Sequence, residues 1–142
     1  MYRILRVMPF FRRFAPAFSK KGNQKFVSSS QYWENRYAMG GTSGAGSFGK
    51  LAKFKAGIIN KFVRAHGVRS LIEFGCGDGN QLALACYENY IGLDISKSCI
   101  RLCREKFAED ETKNFLEYSP KYFPDSSELS LHADLALSLD VI

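Results

Sequence analysis

The stretch Val68-Arg-Ser-Leu-Ile-Glu-Phe-Gly-Cys-Gly-Asp-Gly79 decides the fold. Its first seven residues, Val68 to Phe74, read as a buried strand, and Gly75-Cys-Gly-Asp-Gly79 as a tight turn opening into a helix over Asn80 to Tyr87. Glycines at 75, 77 and 79 permit positive φ and let a ligand approach the backbone closely. A buried strand, a glycine turn and a helix, in that order, form the setting in which a nucleotide meets a parallel sheet.

Working outward, Tyr90 to Asp94 reads as a second strand, Ser96 to Phe107 as a helix, Asn114 to Tyr118 as a short third strand, and Ala133 to Ile142 as a fourth. Asp94 falls nineteen residues after Gly75, at the carboxyl end of the second strand, where an acid can accept both hydroxyls of a ribose. Toward the N-terminus, Lys50 to His66 is expected to be an amphipathic helix with Leu51, Phe54, Ile58, Ile59, Phe62 and Val63 near one face, closed by Gly67. Ser28 to Tyr37 reads as a short N-capped helix with Glu34 favourably near its start. Strand alternating with helix implies parallel pairing, hence a Rossmann-like, doubly wound α/β sheet.

A second glycine-rich stretch competes for the nucleotide. Gly44-Ala-Gly-Ser-Phe-Gly49-Lys50 is most of a phosphate-binding P-loop, but Leu51 replaces the hydroxyl residue that would hold magnesium. The preceding QYWENRYAMG has no buried-strand character either. Three readings stay open: a true P-loop, a flexible glycine loop, and a loop that closes over a ligand held by the sheet.

Composition sets outer limits. The 142 residues suit one domain with a sizeable core. Residues 1–26 hold seven bases and no acid, one more than the net charge of +6, so the remainder carries −1. A nucleic-acid grip over the whole surface is therefore not expected. Residues 1–27 read as a poorly ordered basic leader, with weak membrane contact or an organelle-targeting role as alternatives. Arg3, Arg6, Arg12 and Arg13 interrupt any run that could span a membrane. Cys76, Cys86, Cys99 and Cys103 form no C-x-x-C pair, so metal-site spacing is absent. Cys99 and Cys103 would share one helix face in a reducing, cytoplasmic setting.

A dinucleotide fingerprint would need Gly or Ala at position 80, where the chain has Asn80. The arrangement Glu73-x-Gly75-x-Gly77-x-Gly79 instead resembles the first motif of the class I S-adenosylmethionine-dependent methyltransferases. Asp94 matches the paired acid, and Ala133-Asp-Leu-Ala-Leu-Ser-Leu-Asp140-Val-Ile resembles the fourth strand of that family. The resemblance runs from about Tyr32 to the last residue and implies S-adenosylmethionine as cofactor. It implies that Glu73 anchors the methionine amino group, that Gly75, Gly77 and Gly79 cradle the cofactor, that Asp94 binds the ribose, and that Ile95 lies against the adenine. Tyr118 ends the third strand, at the adenine edge, where the family usually has an acid. Tyr32-Trp33-x-x-Arg36-Tyr37 is similar to N-terminal caps that cover the methionine carboxylate, with Arg36 as a bidentate clamp; Trp33 could equally be core. Asp140 would face the methyl-donor side and is the candidate catalytic base.

The implied reaction is in-line displacement of the sulfonium methyl by a nucleophile, with positioning as the main source of rate and no metal required. The family's sheet has seven strands in the order 3-2-1-4-5-7-6, whereas this sequence reaches only its fourth. The expectation is a truncated cofactor-binding half, 28–142, with LALSLDVI as an open apolar edge prone to self-association. Two function classes follow: a methyltransferase with a small-molecule acceptor, or a non-catalytic protein of the same fold that binds the cofactor or another chain. An NAD-binding oxidoreductase is a third, disfavoured by Asn80.

Overall fold

The computed structural model describes residues 26–119, 132–139 and 141. The leader proposed for 1–27 therefore lies outside them almost entirely, as does Asp140. The helices are α1 (Ser29–Ala38), α2 (Gly49–Ala65) and α3 (Lys97–Lys106), and the strands are β1 (Ser70–Phe74), β2 (Asn89–Asp94), β3 (Lys113–Glu117) and β4 (Leu135–Ser138). The strands form one parallel sheet in the order β3-β2-β1-β4. The order reverses between β1 and β4, the switch point at which open α/β sheets bind ligands beyond the strand carboxyl ends. Among the described residues no helix is long and apolar enough to cross a membrane.

Strand alternation sorts the core. Leu71 pairs with Tyr90 and Leu135, and Glu73 with Gly92 and Leu137, so these side chains share one face. Val63 of α2, Ile100 and Cys103 of α3, and Phe115 of β3 pack into the same cluster. At the amino end of β1, Asp134 accepts from the amides of Arg69 (2.8 Å) and Ser70 (2.9 Å) and ties β4 to that edge.

Three sequence expectations change. The helix expected over Asn80 to Tyr87 is only a 3₁₀ turn at Leu82–Leu84. Residues 80–88 must run back along a five-residue strand, roughly 17 Å at about 3.3 Å per residue. Eight helical residues span only about 12 Å, so the segment makes one 3₁₀ turn and is extended from Ala85 onward. Asn60 of α2 satisfies the backbone this leaves over, donating to the Leu84 carbonyl (2.9 Å) and accepting from the Cys86 amide (2.9 Å).

The second change concerns the packed face of α2. Ala52, Ala56, Asn60 and Val63 are buried, and Ile59 packs against the core. Leu51, Phe54, Ile58 and Phe62 are 45% to 66% exposed. Small residues face inward because the helix lies close over the 3₁₀ turn and the Gln81 amide, which donates to the Ala52 carbonyl (3.1 Å). The third change is Glu34, which sits beyond the first turn of α1 and serves α3 instead. Its carboxylate accepts from the Ser96 hydroxyl (2.7 Å), the Ser98 hydroxyl (2.6 Å) and the Ser98 amide (3.1 Å). These bonds lower its pKa and fasten α1 across the positive end of α3.

Candidate functional site

The carboxyl ends of β1 and β2 open into a cleft roofed by α1 and by the loop between α1 and α2. It encloses about 100 Å³ and is open at its mouth. Trp33, Glu73, Gly75, Gly77, Asp94, Ile95 and Tyr118 all line it. The sequence reading thus placed seven residues from four segments around one space.

The floor is the glycine turn. Gly75 and Gly77 have φ of 75° and 60°, a region that side-chain-bearing residues rarely adopt. A Cβ on Gly77 would collide with the Ser43 hydroxyl oxygen, and one on Gly75 would lie 2.5 Å from a Val141 methyl. Asp94 braces this turn from β2: one carboxylate oxygen accepts from the Gly77 amide (3.1 Å) and the other from the Ser96 amide (3.0 Å). Burial raises its pKa against the opposing pull of those amides. Each oxygen still has a lone pair for a ligand hydroxyl.

Glu73 is deeper and only 4% exposed. Its carboxylate accepts from the Tyr90 hydroxyl at 2.6 Å. Burial raises its pKa to about 7, opposed by that hydrogen bond and by the charge of Lys55. Gly92 makes the arrangement possible, because a Cβ there would meet the Tyr90 ring at 2.9 Å and the Cys76 sulfur at 3.0 Å.

The loop from Gly40 to Gly49 closes over the turn. The Ser43 amide donates to Asp78 (3.0 Å), and the Asp78 amide donates back to the Ser43 hydroxyl (2.9 Å). Tyr37 contacts the same hydroxyl at 3.0 Å, and the Asn80 side-chain amide donates to the Ser47 carbonyl (2.5 Å). Of the three readings of this stretch, the geometry is that of a lid docked on the glycine turn.

Two expected contacts are not brought in. Arg36 does not line the cleft: its guanidinium donates to the Thr42 carbonyl (2.5 Å) and to the Tyr32 hydroxyl (3.4 Å), and it lies 5.8 Å from the Trp33 ring centroid. It holds the first residues of the lid instead. Gly79 turns away from the cleft, packing near Phe107 and Cys103. Trp33 is wall rather than core, stacked on Tyr37 at 5.8 Å.

Several lining residues had no sequence signal. Lys55 points in from the α2 surface, and nothing in its spacing marks it. Gln81 also lines the cleft; its side-chain oxygen is buried with no hydrogen-bond partner among the described residues. A buried acceptor left over in a cleft suits a ligand donor. Below the turn, Cys76, Cys99 and Cys103 converge, which cysteine spacing alone did not reveal. Hydrogen bonds from the other two thiols lower the Cys103 pKa, while Cys76 and Cys99 are raised.

Against known structures, the chain superposes on the methyltransferase domain of bacterial CtHen1-CN with a TM-score of 0.54, at 20% identity over 65% of this chain and 51% of that one. It has the fold of the class I methyltransferases. The methyltransferase fold recurs in CalS10, an amino pentose methyltransferase from Micromonospora echinaspora solved with S-adenosylmethionine bound (TM-score 0.51, 20% identity, 66% of this chain, 38% of that one). It recurs again in the S-adenosylhomocysteine-bound methyltransferase PaMTH1 of Podospora anserina (TM-score 0.51, 16% identity, 79% and 50%). The chain spans between 38% and 51% of the length of these three structures. No protein-family model matches the sequence, and no curated protein matches it.

Proposed function

We propose that the cleft binds S-adenosylmethionine and that the chain serves methyl transfer to a small-molecule acceptor. The observation that carries this reading is the Asp94 carboxylate, fixed by the Gly77 and Ser96 amides beside a positive-φ glycine turn. A ribose diol suits its remaining lone pairs. The amino-acid end of the ligand suits the other pole of the cleft. Its ammonium would donate to Glu73 and to the unpaired Gln81 oxygen, and its carboxylate would meet Lys55, in place of Arg36. Ile95, Trp33 and Tyr118 offer apolar surface to an adenine. A pyrophosphate, by contrast, would have to lie against the buried carboxyl of Glu73, which disfavours a dinucleotide.

When bound, the cofactor supplies an electrophilic methyl carried on a sulfonium. The residues of the chain orient it: Asp94 fixes the sugar, the glycine turn fixes the tail, and the docked lid excludes water. Asp140 follows Leu139, a cleft residue, and is the proposed base for acceptors that need one. The cysteines, with none of the four in a disulfide, support a reducing, cytoplasmic setting. A second reading is cofactor binding without catalysis, in which β4, an edge strand among the described residues, would pair with another chain.

Calorimetric titration with S-adenosylhomocysteine and, separately, with NAD tests the reading. S-adenosylhomocysteine should bind and NAD should not. Asp94→Ala should weaken binding by roughly tenfold or more, since each hydrogen bond to a charged group contributes about 1.5–3 kcal/mol. Preferential NAD binding, or unchanged affinity in a folded Asp94→Ala protein, refutes it.

A further inference from the structure

Cys76, Cys99 and Cys103 belong to the glycine turn and to α3, and their sulfurs all lie within 4.8 Å of one another. Cys99 and Cys103 are fully buried and Cys76 nearly so. Both α3 sulfurs lie against the Gly77 carbonyl, at 2.6 Å for Cys99 and 3.0 Å for Cys103. Two glycines keep the space around the cluster open. A Cβ on Gly92 would stand 3.0 Å from the Cys76 sulfur, and one on Gly79 would stand 3.2 Å from the Cys103 sulfur.

We propose that this trio is a structural site for one soft divalent cation, zinc by chemistry, bound by three thiolates directly beneath the nucleotide-binding turn. Zinc–sulfur bonds of about 2.3 Å set tetrahedral sulfurs roughly 3.8 Å apart. The cluster therefore needs at most a modest contraction to bind. The Gly77 carbonyl, already touching two of the sulfurs, is the nearest fourth donor. Sulfur donors select a thiophilic d¹⁰ ion over magnesium or calcium, which take oxygen. Cys76 also lines the cleft and gives the ion its way in. On binding, three metal–sulfur bonds form and the three thiol protons leave to solvent. No electron is transferred. The ion would staple the floor of the cleft to α3, a role that does not depend on which nucleoside lies above.

The test uses the full chain, reduced and freed of metal by chelation, titrated with zinc and with cadmium as a spectroscopic probe. Expected are one ion per chain, thiolate-to-cadmium charge-transfer absorbance, proton release on zinc binding, and a higher thermal midpoint that a chelator reverses. Cys103→Ser and Cys99→Ser should each weaken binding by more than about a hundredfold, beyond the roughly 10–100-fold lost with an outer partner. Cys86→Ser should bind as the parent does. Circular dichroism reports whether each variant is folded. The parent chain carries the test if a cysteine variant is not. No charge-transfer band in the folded parent, a band that persists in folded Cys103→Ser, or one abolished by Cys86→Ser overturns the proposal.

Discussion

Glu73→Gln isolates the electrostatic cost built into the cleft. In the parent, burial lifts the Glu73 carboxyl from an ordinary 4.5 to about 7. A raised carboxyl stabilises the folded state fully below the unfolded pKa and loses that contribution as pH rises through the folded one. The window is therefore pH 4.5 to about 7. At about 1.4 kcal/mol for each pH unit in that window, the parent should lose about 2–3 kcal/mol between pH 5 and pH 8 relative to the variant. The substituted side chain cannot ionise, and its amide oxygen can still accept from Tyr90. Urea unfolding of both proteins at pH 5, 6, 7 and 8 gives the difference, from which other titrations cancel. The variant should gain on the parent as pH rises and level off above 7. A difference that is flat across this range refutes the buried, proton-holding Glu73.

The same residue links pH to ligand. If an ammonium group docks on ionised Glu73, S-adenosylhomocysteine affinity should rise about tenfold from pH 6 to pH 8, as a group of pKa near 7 ionises, and Glu73→Gln should flatten the profile in calorimetry. Asp78→Ala removes the acceptor for the Ser43 and Asn80 amides. It should undock the lid, seen as faster amide exchange over residues 41–48, and cost about 1–2 kcal/mol in urea unfolding. Glu34→Ala should cost about 1–2 kcal/mol near neutrality. Because its pKa is lowered, that contribution is present above the ordinary 4.5 and is lost as pH falls through the folded value, so parent and variant should converge in acid. Phe54→Gln should change stability by no more than about 0.5 kcal/mol, because Phe54 is two-thirds exposed.

Local pattern determined the strands. Apolar runs bounded by Gly67, Gly75 and Asn89 have one way to bury themselves, and Ser28 and Ser96 mark helix starts whatever surrounds them. The glycine turn and Asp94 were legible because backbone conformation and strand end fix where they point. Only nine residues separate Gly79 from β2, and that short return leaves room for a 3₁₀ turn in place of the expected helix.

What tertiary structure decided was everything that depends on which surfaces meet. The apolar spacing of α2 suggested Phe54 and Ile58 as core, but close contact with a turn selects Ala52 and Ala56. Glu34 sits on one helix and caps another, 62 residues away. Arg36 serves the lid, while Lys55 and the unpaired Gln81 oxygen supply polarity to the cleft. Three cysteines without a recognisable spacing meet because a turn and a helix cross there. Sequence fixes short-range geometry through dihedral preference and period; long-range pairing follows only when the sheet is assembled.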